Sequence, residues 1–267
     1  MASSQPYADT PPLQYVDFSR PLEGDMGLLP QLQALYRTAF PGKSDAFIHT
    51  LFARYAPHCI RALCLGEIPV SMLFSIPYPV ESANGTLPAR YLYGIATHPD
   101  HRGCGYARTL LLREMEQGPI FLRPMTQALF DYYGKLGLTP FSPIEVCEGQ
   151  ALAADCGAVR AVDAATYLSL RQALAPHPCC TPSASFLEVL SADGGALWWE
   201  GHAPALYARR KDKILFKEYW GEPDFAPRLT AFLGGARYAL RRPAPAGDCF
   251  GVTNTLPQTT VFLTAMD

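Results

Sequence analysis

No apolar run in this chain reaches the roughly 20 residues that a membrane-spanning helix needs. The opening Met-Ala-Ser-Ser-Gln-Pro-Tyr-Ala-Asp-Thr has neither the basic charge nor the apolar stretch of a signal peptide, so a cytoplasmic location and no membrane partner are expected. Charge of one sign is equally scarce, since 22 Lys and Arg stand against 24 Asp and Glu, a formal net charge of −2. The basic clusters Arg209-Arg210-Lys211 and Arg241-Arg242 are too short to form an electrostatic footprint for nucleic acid, and no nucleic-acid partner is expected. The eight cysteines, at 59, 64, 104, 147, 156, 179, 180 and 249, contain no Cys-x-x-Cys pair and no cysteine–histidine spacing of the kind zinc requires. Reduced thiols and no metal site follow as expectations.

The chain does have length and apolar content: 267 residues, 49% hydrophobic and 17% charged, enough for one large core or two ordinary ones. Its most informative stretch is 91–113. Tyr91 to Thr97 reads as a buried strand, which breaks at His98-Pro99 into a glycine loop and then an amphipathic helix, Arg108 to Glu116. At such a junction the first backbone N–H groups of the helix have no intrahelical partner and the helix dipole adds positive potential, so a phosphate can be held without lysines. Gly103 and Gly105 allow an anion to approach the backbone closely. A Walker loop is excluded, because Gly105-Tyr106-Ala107 offers neither the lysine nor the hydroxyl. A dinucleotide fingerprint fits poorly too, since a His-Pro-Asp-His-Arg segment separates strand from glycines and Arg108 follows them.

Arg102-Gly103-Cys104-Gly105-Tyr106-Ala107, with the flanking Ile-Ala-Thr-His-Pro-Asp-His-Arg-Gly and the helix face Leu110-Leu111, resembles the pyrophosphate loop Arg/Gln-x-x-Gly-x-Gly/Ala of the GCN5-related N-acetyltransferases (GNAT). The resemblance implies a mixed α/β fold. It further implies acetyl-CoA as cosubstrate, with its pantetheine arm along Ile95, Ala96 and Thr97 and its pyrophosphate on Arg102, Gly103, Cys104, Gly105, Tyr106, Ala107 and Arg108. A second segment, Tyr133-Gly134-Lys135-Leu136-Gly137-Leu138, is similar to the family's Tyr-x-x-x-Gly-Phe, with Leu138 in place of Phe. By that likeness Tyr133 is the catalytic general acid that protonates the leaving thiolate, and Tyr132, about 100° around the helix, should point elsewhere. Thr126 stands where many members carry an asparagine that contacts the cofactor.

The implied reaction is direct transfer of acetyl to an amine of a small molecule or peptide. Such an amine, with a pKa of about 10, must first lose a proton. His98, Asp100, Glu67, Glu81, the terminal Asp267 and a water chain all remain candidates for the base. An acyl-CoA-binding regulator without catalysis is the second reading. An interaction protein built on Trp198, Trp199 and Trp220 is the third, for which exposure of Trp199 would speak. A homo-oligomer stays open.

The first half reads in family order, with helices over Leu28 to Phe40 and Asp45 to Tyr55, strands over Ile60 to Leu65 and Val70 to Ile76 around a Gly66-Glu67 turn, and a short strand over Pro119 to Arg123 before a helix from Met125 to Leu136. From Ala151 the pattern starts again. Ala158 to Val162 reads as a strand and Ala164 to Leu174 as a helix, followed by an antiparallel set over Phe186 to Leu190, Ala196 to Glu200, Ala205 to Arg209 and Ile214 to Tyr219. No Arg-x-x-Gly-x-Gly/Ala recurs there, since the candidate glycine pair, Leu233-Gly234-Gly235-Ala236, lacks the strand-to-loop arginine. The expected organisation is an acetyltransferase domain, 1–150, followed by a smaller degenerate GNAT-like α/β domain, 151–267, that shapes the acceptor side. This resembles the two-domain acetyltransferases that include the enhanced-intracellular-survival proteins.

Overall fold

A computed structural model of the chain describes residues 11–19, 27–153, 156–192, 194–200 and 202–266. Strand β1 (Leu13–Asp17) is followed by α1 (Leu28–Ala39), α2 (Asp45–Cys59), β2 (Ile60–Leu65), β3 (Ile68–Pro77), β4 (Val80–Ser82), β5 (Gly85–Leu87) and β6 (Arg90–Thr97). Next come α3 (Tyr106–Glu116), β7 (Ile120–Leu122), α4 (Gln127–Gly134) and β8 (Thr139–Gln150). The remainder is β9 (Val159–Val162), α5 (Ala164–Gln172), β10 (Cys179–Cys180), α6 (Ala184–Ser191), β11 (Gly194–Trp199), β12 (Pro204–Arg210), β13 (Lys213–Tyr219), α7 (Ala226–Phe232), β14 (Arg237–Pro243) and β15 (Cys249–Thr253). The architecture is mixed α/β with a large mixed sheet. By contacts the chain divides into two compact units, Met1–Ser75 with Leu92–Glu116, and Ile76–Tyr91 with Gln117–Asp267. These units interleave along the chain, whereas the expected boundary after residue 150 falls at the end of β8.

In the first unit β1 pairs antiparallel with β2, β2 pairs antiparallel with β3 across a turn where Gly66 takes φ +60°, and β6 lies beside β3. The core of this unit is aromatic: Tyr36, Phe52, Phe74 and Tyr93 pack ring against ring, and the Tyr36 and Tyr93 hydroxyls share a 2.7 Å hydrogen bond. Gly94 takes φ +61° within β6, and a side chain there would collide with the Tyr36 ring. Helix α3 is anchored by a charge as well as by Leu110 and Leu111. Glu114, fully buried, accepts a hydrogen bond from Ser75 Oγ and sits 3.3 Å from Arg61 Nε, while Arg61 also reaches Asp17 at 2.9 Å. A buried carboxylate without partners would cost several kcal/mol, so the pairing fixes one register for α3 over β2 and β3.

The second unit carries the strand order β6-β7-β15-β8-β14-β13-β12-β11-β9, β6 entering it through Arg90 and Tyr91. Its β6–β7 and β13–β14 pairs are parallel and the others antiparallel. A separate antiparallel trio joins β10, β4 and β5. Tyr78, Tyr91, Phe121, Phe141, Phe186 and Phe262 form its main ring cluster. The last segment is built into this core. β15 lies between β7 and β8, Ile120 N donates to Asn254 Oδ1, Tyr78 Oη donates to the Thr264 carbonyl, and Ser142 Oγ accepts from Phe262 N.

Two expectations are corrected by this fold. Phe186 to Leu190 is not a strand but lies in helix α6, because Ser183 Oγ accepts from Phe186 N as an N-cap and Phe186, Leu187, Val189 and Leu190 are all buried at helical spacing. In keeping with the missing loop arginine, Leu233-Gly234-Gly235-Ala236 follows helix α7, at the end where the dipole is negative and repels an anion. The segment that answers to the glycine loop in topology lies elsewhere. The succession β1-α1-α2-β2-β3-β6-α3-β7 recurs as β9-α5-α6-β11-β12-β13-α7-β14, and the parallel pair β13–β14 corresponds to β6–β7. Ile214 to Tyr219 was expected only within an antiparallel set, yet β13 is antiparallel to β12 on one side and parallel to β14 on the other.

Candidate functional site

Strand β6 ends at Thr97, where its backbone is pinned: Ser71 Oγ donates to the Ala96 carbonyl, His98 N donates to the Val70 carbonyl, and Arg102 Nε donates to the Thr97 carbonyl. His98 then caps a short 3-10 turn, Pro99–His101, by accepting from Asp100 N. The chain next passes through Gly103 at φ +82° and Gly105 at φ +80°, values that a side chain rarely adopts, with open space on the Cβ side of both. Helix α3 begins at Tyr106, and Thr109 N donates to the Gly105 carbonyl at its start. None of the backbone N–H groups from Gly103 to Arg108 finds an acceptor among the described residues. A run of unsatisfied donors at a helix N-terminus, with no side chain filling the space beside its glycines, is the donor set a pyrophosphate requires. The expected cofactor residues Ile95, Ala96, Thr97 and Arg102 to Arg108 are therefore brought together in one continuous strand, loop and helix of the first unit.

Tyr133 belongs to the second unit, one residue from the end of α4, and only 6% of it is exposed. Burial pushes its phenol well above the ordinary value of 10.0, and neighbouring Tyr132 raises it further. Tyr132 does not point elsewhere as expected, for its ring packs edge-on against Tyr133 at 5.2 Å. Helix α4 is shorter than the expected Met125 to Leu136. Thr126 is its N-cap, accepting from Leu129 N, and the Leu138 N to Tyr133 carbonyl bond closes its C-terminal end around Gly137 at φ +90°. Thr126 thus has a structural task of its own at the position of the family's asparagine.

The base candidates scatter. His98 Nδ1 lies 3.8 Å from Asp100 Oδ2, Glu67 is exposed in the β2–β3 turn, Glu81 accepts from Thr86 Oγ1 on β4, and Asp267 lies outside the described residues. Trp199 is 5% exposed and packs within a core cluster with Phe216 and Leu229, which removes the observation that an aromatic interaction surface needed. No group of three or more metal-ligating side chains is found among the described residues. Sequence reasoning missed Gly94 and the Tyr36–Tyr93 hydroxyl pair on the signature strand.

Residues 26–140 match the family model described as Acetyltransferase (GNAT) domain. Over those residues the chain is similar to the GNAT acetyltransferases. Among solved structures, a GCN5-related N-acetyltransferase from Kribbella flavida superposes with a TM-score of 0.65 at 16% identity, over 93% of this chain and 72% of that one. A putative acetyltransferase from Pyrococcus horikoshii gives 0.61 at 12% identity, over 97% and 94% of the two chains. Eis1 from Mycobacterium abscessus gives 0.59 at 10% identity, over 88% and 67%. At these identities the likeness is one of fold. No curated protein matches the sequence. No helix among the described residues is long and apolar enough to cross a membrane.

Proposed function

We propose that the protein transfers an acetyl group from acetyl-CoA to an amine of a small molecule or peptide by direct attack. The observation that carries this reading is the row of unsatisfied N–H donors from Gly103 to Arg108 beside two open glycines. Acetyl-CoA supplies an activated thioester. The backbone of Gly103 to Arg108 would hold its pyrophosphate and the edge of β6 at Ile95 to Thr97 its pantetheine arm. Tyr133, kept protonated by burial, is the acid for the departing thiolate.

In this reading residues 151–267 form a degenerate GNAT-like domain that governs the acceptor and binds no cofactor. The recurring element order supports it, and so does the segment between β13 and α7. That segment, Trp220-Gly221-Glu222-Pro223-Asp224-Phe225, carries two carboxylates and a single glycine whose Cβ side is filled by the Tyr219 hydroxyl. An anion finds neither space nor favourable charge there. Thiol release from acetyl-CoA, followed across a panel of polyamines, amino acids, aminoglycoside-like amines and peptides, tests the reading. Release with at least one amine is expected. Tight acetyl-CoA binding with no release from any would favour the alternative, a catalytically inactive acyl-CoA-binding regulator.

A further inference from the structure

Arg171 on α5 is 3% exposed, and its guanidinium is used unevenly. Nε and Nη2 grip both oxygens of Glu218 at 2.8 Å, Nη2 also donates to the Cys180 carbonyl at 3.0 Å, and Tyr167 Oη donates to Glu218 Oε2 at 2.7 Å. Nη1 has a single partner among the described residues, Thr181 Oγ1 at 3.5 Å, beyond the usual 2.7–3.2 Å of a good hydrogen bond. A five-donor fork buried this deeply with one nitrogen so weakly engaged has room for an acceptor.

Arg171, Thr181, Cys179, Ala175 and His177 line a cavity of about 230 Å³ in the second unit, and Glu81 of β4 completes the wall. Glu81 accepts from the neutral Thr86 hydroxyl and pairs with no cation among the described residues. Arg171 is already neutralised by Glu218, so the cavity offers one uncompensated carboxylate and one guanidinium nitrogen still able to donate. Leu168 and Ala175 add apolar surface to the lining. The volume is below the roughly 300–1,000 Å³ of clefts for drug-sized ligands, which excludes a nucleotide or coenzyme. Glu81, His177 and Cys179 line the cavity without forming a metal-ligating group, as no such group of three is found among the described residues.

We propose that this cavity binds a small zwitterion of the α-amino-acid class, its carboxylate received by Arg171 Nη1 and Thr181 Oγ1 and its ammonium by Glu81. The site holds a ligand with opposite charges a few bonds apart and a short apolar side chain. This does not rest on the acetyl-transfer reading, because every lining residue lies outside the pyrophosphate loop and binding needs no acetyl-CoA.

Calorimetric titration of the full chain with L-alanine, L-valine and L-leucine, in the absence of acetyl-CoA, tests it. At least one should bind, while the matching amine without a carboxylate and acid without an amine bind about tenfold weaker or worse, as expected for loss of one charged hydrogen bond. Glu81→Gln should weaken binding by about tenfold, and Ala175→Trp should abolish it by filling the cavity, both with an unchanged thermal midpoint. Arg171 is left alone, since its loss strands Glu218. If Ala175→Trp fails to fold, Glu81→Gln still decides. No heat with any of the three amino acids, equal affinity for the amine or acid controls, or full affinity in Glu81→Gln would overturn the proposal. Acetylation of the bound amino acid on adding acetyl-CoA would identify it as the acceptor, and its recovery unchanged as an effector, and both support the site.

Discussion

Tyr133 is a phenol whose burial opposes ionisation, so its proton stays available through the pH range in which a thiolate must be protonated. The shift is upward, so ionisation of Tyr133 removes no rate below pH 10.0. Tyr133→Phe should lower turnover by about 10²-fold with acetyl-CoA affinity nearly unchanged, as for an acid that acts only in the transition state. Equal turnover in steady-state assays of the two proteins would assign the proton to water or another group. The thiols of Cys59 and Cys179 give a stability counterpart. Burial raises both from 9.0 to about 11, each shift being reduced by a neighbouring arginine, Arg61 or Arg171. A raised folded pKa means that the folded chain holds the proton more tightly, so this contribution is complete below pH 9.0 and is lost as pH rises to about 11. Urea midpoints should therefore fall across that window, and substituting Cys59 with alanine should flatten the fall. At this scale the loop glycines were legible because glycine spacing before a helix reports backbone geometry directly. Gly94 was not, because only the tertiary approach of the Tyr36 ring explains it.

Among the elements, α6 shows where a sequence window is ambiguous. A short apolar stretch, Phe186 to Leu190 with Glu188 at its middle, suits a buried strand and a buried helix equally by periodicity. The deciding signal was three residues upstream, in the Ser183 cap. Removing it by Ser183→Ala should lower the unfolding free energy by about 1 kcal/mol, measured by urea denaturation, and a change within error would mean that packing alone holds the helix. Strand β6 and helix α3 were placed within two residues of their ends, since an apolar run, a proline break and a glycine pair mark both boundaries. The β13–α7–β14 unit was hidden: β13 has an ordinary antiparallel neighbour, α7 is only seven residues long, and no glycine motif advertises the parallel crossover.

For the whole molecule, a recurring element order is readable in the sequence, but the pairing of the last strand with β7 and β8 is not. β8 is flanked by β14 and β15, and β15 also pairs with β7, pairings between residues 87 to 132 apart that no local pattern reveals. A chain cut after Gln150 loses both neighbours of β8 and exposes Phe121 and Phe141. It should lack a cooperative thermal transition in calorimetry, and a sharp transition near that of the full chain would show that the first half folds alone. The recurring topology also sets the number of cofactor sites. Among the described residues, β6–α3–β7 opens on free N–H donors beside uncrowded glycines, while β13–α7–β14 presents Glu222 and Asp224. Calorimetric titration of acetyl-CoA into the full chain, repeated with Gly105→Glu, tests this most directly. The account predicts one acetyl-CoA per chain and no detectable binding to a folded Gly105→Glu protein, in which bulk and negative charge occupy the phosphate position; two cofactors per chain, or unchanged affinity in the variant, would contradict it.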